Sequence, residues 1–494
     1  SALTRSKRIC ASVTSTANLL SHQRLKRTPI MQYISTRGEA PKLSFDDVLL
    51  AGLANDGGLY VPESWPKVDA ETMRSWRGLS YPELAVEVML PFVEKSIPRE
   101  DFATLVQRAY ATFQHSAVTP VKQLDTNVYL LELFHGPTLA FKDCALQLLG
   151  HLFDYVLERR NERVTIVGAT SGDTGSAAIE AIKGRKRADI FILFPEGRVS
   201  PVQQRQMTTV NAENVHALAV EGTFDDCQDL VKAMFADADF RGEVSLSAVN
   251  SINWARIMAQ IVYYFWASLR LGGPDREVDF CVPTGNFGNV FAGYAAKQMG
   301  LPMGRLMVGS NRNDILTRFF ESDDMSIQGV EPSLSPSMDI QISSNFERYL
   351  FDLLDRSGSA TAKTMIDFRA SGRMSVGQGG WDQAKKDFHA FSLDDDKCLD
   401  AMRKWFDQTG EVLDPHTVIG VEHAAQFGRD GVPTVALATA HPAKFPAAVE
   451  QALNHTPDLP THLSDLYDRS ESFTSLPNQL KEVQQHVRNH RRYT

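Results

Sequence analysis

From Val128 onward, short apolar runs rich in Val, Ile and Phe alternate with longer stretches of helical periodicity, and this alternation constrains the fold more than any other feature. The runs are Val128–Leu133, Val164–Ala169, Ile190–Phe194, Val215–Val220, Phe280–Pro283, Leu306–Val308 and Val435–Ala438. A strand apolar on both faces must be covered on both, and strands separated by helices join in parallel. The pattern predicts an α/β chain built on parallel sheets. Between Met31 and about residue 120, patterns such as Tyr81–Leu90 and Phe102–Phe113 repeat apolar residues at helical spacing and predict a mostly helical N-terminal domain. Ser322–Ser337, rich in Ser and Asp and broken by Pro and Gly, predicts a loop excursion. The tail after Leu476 is polar and helical in pattern, and no internal repeat is visible.

A chain of 494 residues exceeds one core and predicts two or three domains. A net charge of −9 repels a nucleic acid. No apolar run reaches the roughly 18 residues that span a bilayer, so no membrane partner is expected. Cys10, Cys144, Cys227, Cys281 and Cys398 form no CxxC pair, which fits free thiols in a reducing, cytoplasmic compartment. Residues 1–30 hold Arg5, Lys7, Arg8, Arg24, Lys26 and Arg27 without an acid, among many Ser and Thr. This basic extension reads as an organellar transit peptide or as an upstream segment ahead of Met31, disordered in either case.

Two glycine-rich turns follow strands. The first carries Thr170, Ser171, Gly172, Asp173 and Thr174 into the helical pattern Ala177–Ile182; the second carries Gly285, Asn286, Phe287, Gly288 and Asn289 into Val290–Met299. Glycines let the backbone turn sharply and bring free N–H groups to a helix start, where an anion is favoured. Each turn alone also reads as an ordinary strand-to-helix connection. Neither matches a Walker or GxGxxG pattern, so the pair points to a phosphorylated ligand other than a dinucleotide.

Lys142 lies in the segment His135-Gly136-Pro137-Thr138-Leu139-Ala140-Phe141-Lys142-Asp143, directly after a strand. Gly-Pro turns the chain, and Lys142 falls in the first turn of the next helix, where the dipole opposes a cation. A lysine there, flanked by Phe141, can have the lowered pKa that nucleophilic or proton-abstracting chemistry needs. The alternative is a surface lysine paired with Asp143.

The Gly-Pro-Thr-x-x-Phe-Lys-Asp segment resembles the cofactor-lysine motif of the fold-type-II pyridoxal-phosphate enzymes, and Gly-Asn-x-Gly-Asn is similar to their cofactor-phosphate loop. Within that group several segments resemble the longer type of threonine synthase: Thr-Ser-Gly-Asp-Thr-Gly-Ser, Thr439-Ala440-His441-Pro442-Ala443-Lys444-Phe445, Tyr33-Ile34-Ser35-Thr36-Arg37-Gly38 and Asp56-Gly57-Gly58-Leu59-Tyr60. The resemblance runs from Met31 nearly to the C-terminus. It implies a tryptophan synthase β-like fold with two parallel-sheet lobes behind the helical N-terminal domain. We divide the chain into the extension 1–30, an N-terminal domain 31–120, a catalytic region 121–450 whose smaller lobe covers about 160–270, and a helical tail 451–494.

The resemblance also implies the chemistry. Lys142 carries pyridoxal 5′-phosphate and then acts as the mobile base. Gly285, Asn286, Phe287, Gly288 and Asn289 hold the cofactor phosphate, and Thr439 sets a neutral hydroxyl against the ring nitrogen. Thr439 also reads as a strand-end residue bonded only to backbone. Thr170, Ser171, Gly172, Asp173 and Thr174 meet the substrate carboxylate and the ring hydroxyl. Asp173 stands where many relatives carry Asn, and a carboxylate facing a ring oxygen needs a shared proton. Asn250, Ser251 and Arg256 match positions that bind the phosphate of O-phospho-L-homoserine; without the resemblance, Arg256 reads as a surface residue paired with an acid. The implied reaction is γ-elimination followed by β-addition of water, giving L-threonine and phosphate. A phospho-lyase releasing 2-oxobutyrate and a non-catalytic phosphometabolite-binding protein are the rivals. The substrate is a small molecule, and monomer and homodimer are both open. His416, Glu422 and His423 follow no metal-ligand spacing, so no metal is expected, and Tyr263, Tyr264 and Trp266 read as core.

Overall fold

Each predicted apolar run becomes a strand, and the strands separate into two sheets. A computed structural model describes residues 31–93, 95–249 and 251–493, so the expectations for residues 1–30 and for Asn250 fall outside the described residues. The larger sheet runs Phe388–Ser392, Met303–Ser310, Val278–Pro283, Thr434–Ala438, Val128–Glu132, Val121–Gln123. All its pairings are parallel except the last. The smaller sheet runs Thr474–Leu476, Val215–Val220, Ala188–Pro195, Val164–Ala169, Leu246–Ser247 and is parallel throughout. Every residue of Ala188–Pro195 and of Val278–Pro283 is buried, as strands covered on both faces require.

The helices that matter most to the site are buried on nearly all sides. Trp254–Arg270 is covered at every position except Arg270, packing against Gly288–Gln298, Tyr81–Val93 and Lys142–Arg160. Its start is set by Asn253, whose Oδ1 accepts the Ala255 N–H at 3.0 Å. Residues 31–110 carry a small hairpin, Tyr33–Ser35 with Tyr60–Pro62, and several helices. Thr36 and Arg37 both bond Glu347, which ties this region to the helix Phe346–Leu353.

The structure departs from the sequence pattern in several places, two of which concern the tail and the excursion. The tail adds a strand, Thr474–Leu476, to the edge of the smaller sheet before its helix Leu480–His490. The excursion 322–337 is irregular apart from Ser322, which closes the helix Ile315–Ser322, the two-residue strand Met325–Ser326 and the 3-10 turn Pro336–Met338, and Asp339 anchors it by accepting bonds from Asn311, Asn313 and Ser333. That anchoring sets Ser337 against the turn after Val164–Ala169.

Candidate active site

Lys142 is the first residue of the helix Lys142–Arg160 and is 8% exposed, so the surface-lysine alternative does not hold. Asp143 does not pair with it. Its carboxylate folds back to accept the Thr138 N–H at 2.8 Å and the Thr138 hydroxyl at 2.7 Å, closing the Gly-Pro turn. Burial pushes the Asp143 carboxyl up to about 6 against those two bonds. Leu139, buried in the same turn, holds a left-handed φ of 64°, a strained conformation of the kind found where geometry is over-determined by its surroundings.

The group that faces Lys142 is Asp173. Its Oδ2 lies 3.4 Å from Lys142 Nζ and accepts from Ser337 Oγ at 3.2 Å. Its Oδ1 lies 3.0 Å from Lys444 Nζ and accepts from Gln203 Nε2 at 2.9 Å. Burial raises the Asp173 pKa, but Lys444, Lys142 and the Gln203 bond outweigh it and hold the carboxylate well below its usual range. Asp173 is therefore an ion-paired carboxylate. Burial lowers the Lys142 pKa; Lys444 and Arg256 add to that and Asp173 opposes it.

In the first glycine turn, Thr170 is turned inward. Its Oγ1 accepts the N–H groups of Gly172 and Gly175, both at 2.9 Å. Gly172 has φ 143°, which a side chain rarely adopts. Ser171 and Thr174 remain partly exposed at the rim. In the second turn, the N–H groups of Gly285, Asn286 and Phe287 meet no acceptor among the described residues. A Cβ on Gly285 would come within 2.6 Å of the Ser337 carbonyl. The Phe287 side chain points into the core against Phe346 and Phe388, with ring centroids 5.4 and 5.3 Å away, leaving only its backbone for a ligand. Asn289 is gripped by Tyr263, which donates to its Oδ1 at 2.5 Å, and by Tyr264, which donates to its carbonyl at 2.8 Å. The Asn289 Nδ2 is buried without a partner.

Arg256 is 3% exposed, not a surface residue, and pairs with no acid among the described residues. Its Nη1 donates to the Val249 carbonyl at 3.2 Å, and its Nε is buried without a partner. Burial brings its pKa down to about 10. Asn345 links this region to the second turn: its N–H donates to the Asn286 carbonyl at 3.0 Å and its Nδ2 to the Ser251 carbonyl at 3.1 Å. Thr439, 6% exposed, ends the strand Thr434–Ala438 beside the lysine turn. Its hydroxyl bonds to no described residue. The geometry thus gathers a buried amine, two N–H-rich turns and an unpaired guanidinium, which together can hold a phosphorylated cofactor beside a phosphorylated substrate.

Among the described residues, no group of three or more His, Cys, Asp or Glu side chains can hold a metal ion. His416 bonds Asp414, Glu422 bonds Lys404 and Trp405, and His423 bonds His389. No helix among them is long and apolar enough to cross a membrane.

Models described as Threonine synthase N terminus, Pyridoxal-phosphate dependent enzyme, and Threonine synthase, C-terminal match residues 32–110, 112–374 and 417–487. The chain is 56% identical over 462 residues to a threonine synthase of Pseudomonas aeruginosa, covering 93% of this chain and 98% of that one. The chain belongs to the threonine synthase family. It is a pyridoxal-phosphate-dependent enzyme of the fold-type-II architecture, as that membership entails. A PLP-bound threonine synthase from Brucella melitensis superposes with a TM-score of 0.92 at 55% identity, over 94% of this chain and 100% of that one. The yeast threonine synthase superposes at 0.88 and 39% identity, over 93% and 99%.

The sequence did not mark Lys444, Gln203, Ser337 and Asn345 as site residues, and it gave Tyr263 and Tyr264 no part in the site. Lys444 stands within a motif already singled out, so a buried lysine in an apolar-flanked segment was the available signal.

Proposed function

We propose that the chain converts O-phospho-L-homoserine and water to L-threonine and phosphate, using pyridoxal 5′-phosphate carried on Lys142. The observation that carries this reading is Lys142 itself, a buried amine at a helix start, 3.4 Å from a carboxylate that a second lysine already neutralises. The residues fit the cofactor. Three unclaimed N–H groups at Gly285, Asn286 and Phe287, and the orphaned Asn289 Nδ2, offer the donors a phosphate needs.

The bound cofactor supplies an electron sink for the pair released when the substrate Cα–H breaks. Lys142 Nζ takes that proton, and its position lets it serve Cβ and Cγ in turn. Arg256 and Ser251, together with Asn250 by its match to the family motif, hold the phosphate that leaves Cγ, and a guanidinium offers it paired donors. Ser171, Gly172 and Thr174 receive the substrate carboxylate, while Thr170 shapes their turn. Asp173, which faces the Lys142 amine, would lie toward the cofactor's ring hydroxyl, and Thr439 would offer a neutral hydroxyl to the ring nitrogen. Water adds at Cβ after phosphate has left. In this reading the partners are small molecules and the protein is a monomer or a homodimer. It works in the cytoplasm, or in an organelle if residues 1–30 are an import signal.

Incubation with O-phospho-L-homoserine and identification of both products tests the proposal. L-Threonine and phosphate in equal amounts are expected. Phosphate with 2-oxobutyrate would identify a lyase instead, and no phosphate release would remove the substrate assignment. Borohydride reduction and peptide mapping should find the cofactor on Lys142, and an adduct on another lysine would overturn that assignment.

A further inference from the structure

The two oxygens of Asp173 face partners of different kinds. On the Oδ1 side, Lys444 is 0% exposed, and its ammonium also faces the Thr138 carbonyl at 2.7 Å and Gln206 Oε1 at 3.0 Å. With three acceptors around it and no solvent, that cation is fixed. On the Oδ2 side, Lys142 must give up its ammonium proton before it can take one from carbon. A buried carboxylate deserted by its sole cation is strongly disfavoured. Were Lys142 the sole partner, Asp173 would hold the proton on Nζ and oppose every turnover.

Lys444 removes that opposition. When Lys142 loses its charge, the Asp173–Lys444 pair stays intact. The other charged groups acting here are Arg256, from the helix Trp254–Arg270, which repels Lys142, and His416, ahead of Thr417–Phe427, which acts on Asp173. Asp143 is occupied by Thr138 and feels Lys444 and Glu180. We propose that Lys444 is a positioning residue of the reaction, a permanent buried counter-ion that keeps Asp173 paired while Lys142 is uncharged and so sets the pH range over which Lys142 works. The inference rests on the assignment of the cofactor to Lys142.

The test is a pH titration of the visible absorbance of the holoenzyme, which follows the proton at Lys142 Nζ. Lys444→Met removes a repelling cation and leaves Asp173 to Lys142 alone, so the midpoint should rise by about one pH unit or more. The acid limb of kcat/KM should move with it. Asp173→Asn should lower the midpoint, and the double variant, losing both charges together, should return close to the wild-type value. A Lys444→Met enzyme with an unmoved midpoint overturns the proposal, whatever its rate, and so does a double variant that keeps either shift. If Lys444→Met does not fold, the downward shift of Asp173→Asn and its reversal in the double variant remain required. A wild-type preparation that shows no cofactor absorbance sinks the cofactor assignment instead, a result distinct from any of these.

Discussion

The carbonyl of Thr439 accepts the Phe141 N–H at 2.8 Å, one residue before Lys142. Ala140 and Ala440 form a bridge beside it, so the last strand of the larger sheet is stitched to the lysine turn. The backbone of Thr439 is therefore structural, and its hydroxyl is left for a ligand. Thr439→Val keeps shape and backbone and removes that hydroxyl alone. It should fold and retain cofactor while exchanging the substrate Cα proton more slowly, as deuterium incorporation followed by NMR would show. Thr439→Asp should shift the visible spectrum, because a carboxylate holds a proton on the ring nitrogen and strengthens the sink. Normal exchange with an unchanged spectrum in Thr439→Val would leave Thr439 with its backbone role only. Thr434 pairs with Val128 at the opposite end of the strand, so Thr434→Val should not alter exchange.

Arg256 is buried without an acid partner among the described residues, an arrangement that costs the empty protein stability and serves it only when an anion arrives. Arg256→Met should raise the thermal midpoint measured without substrate. It should also weaken use of O-phospho-L-homoserine by about 10- to 100-fold in kcat/KM, the scale of a charge-assisted bond of roughly 1.5–3 kcal/mol. Cofactor absorbance should be retained. Loss of cofactor in this variant would move Arg256 to the other phosphate site.

Tyr263 and Tyr264 hold Asn289 from the helix below it. Tyr264→Phe removes the bond to the Asn289 carbonyl and should cost about 1 kcal/mol. That corresponds to a fall of roughly fivefold in cofactor affinity, read from equilibrium dialysis, with kcat of the saturated enzyme little changed. An unaltered affinity would mean that aromatic packing alone fixes the turn.

How far these features could be read from the chain depends on how local their signals are. Val164–Ala169 and Val215–Val220 have the same ends in the pattern and in the structure, because each is a mostly apolar run, interrupted by Thr165 and Gly168 in the first and by His216 in the second, closed by polar residues. Phe388–Ser392 gave no such signal: it is an edge strand, half-exposed, and follows a helix without a break. Lys142 was legible because its turn chemistry lies within a few residues of it. Lys444 was not, since its meaning depends on Asp173, Thr138 and Gln206, brought to it from distant parts of the chain. The inward turn of Thr170 and the burial of Arg256, whose Nε meets no described partner, depend likewise on packing that no local pattern encodes.

Burial holds His423 neutral, with His389 adding to the effect, and its pKa falls to about 3. The unfolded imidazole titrates near about 6.5, so the unfolded chain binds more protons between these values and stability falls as pH drops. For this one residue the loss from about pH 7 to about pH 5 is roughly 2 kcal/mol. His423→Phe, in a site already lined by Phe391 and Phe427, should flatten the pH dependence of the urea midpoint by about that amount. An unchanged slope would place the acid sensitivity elsewhere.

The strand Val128–Glu132 lies between Val121–Gln123 and Thr434–Ala438, and the smaller sheet takes its outer strand from Thr474–Leu476. During synthesis, then, the lysine turn and the strand before it leave the ribosome long before the partner that covers them exists. The larger sheet stays split between Val128–Glu132 and Val278–Pro283, and one edge of the smaller sheet stays open, until the chain is nearly finished, a state in which unpaired strands invite association with other chains. Ribosomes that stall before residue 434 would release a fragment with Lys142 and both glycine turns present but the larger sheet unclosed. Such fragments should be found with chaperones or in aggregates, so the segment from residue 434 onward decides whether the rest survives.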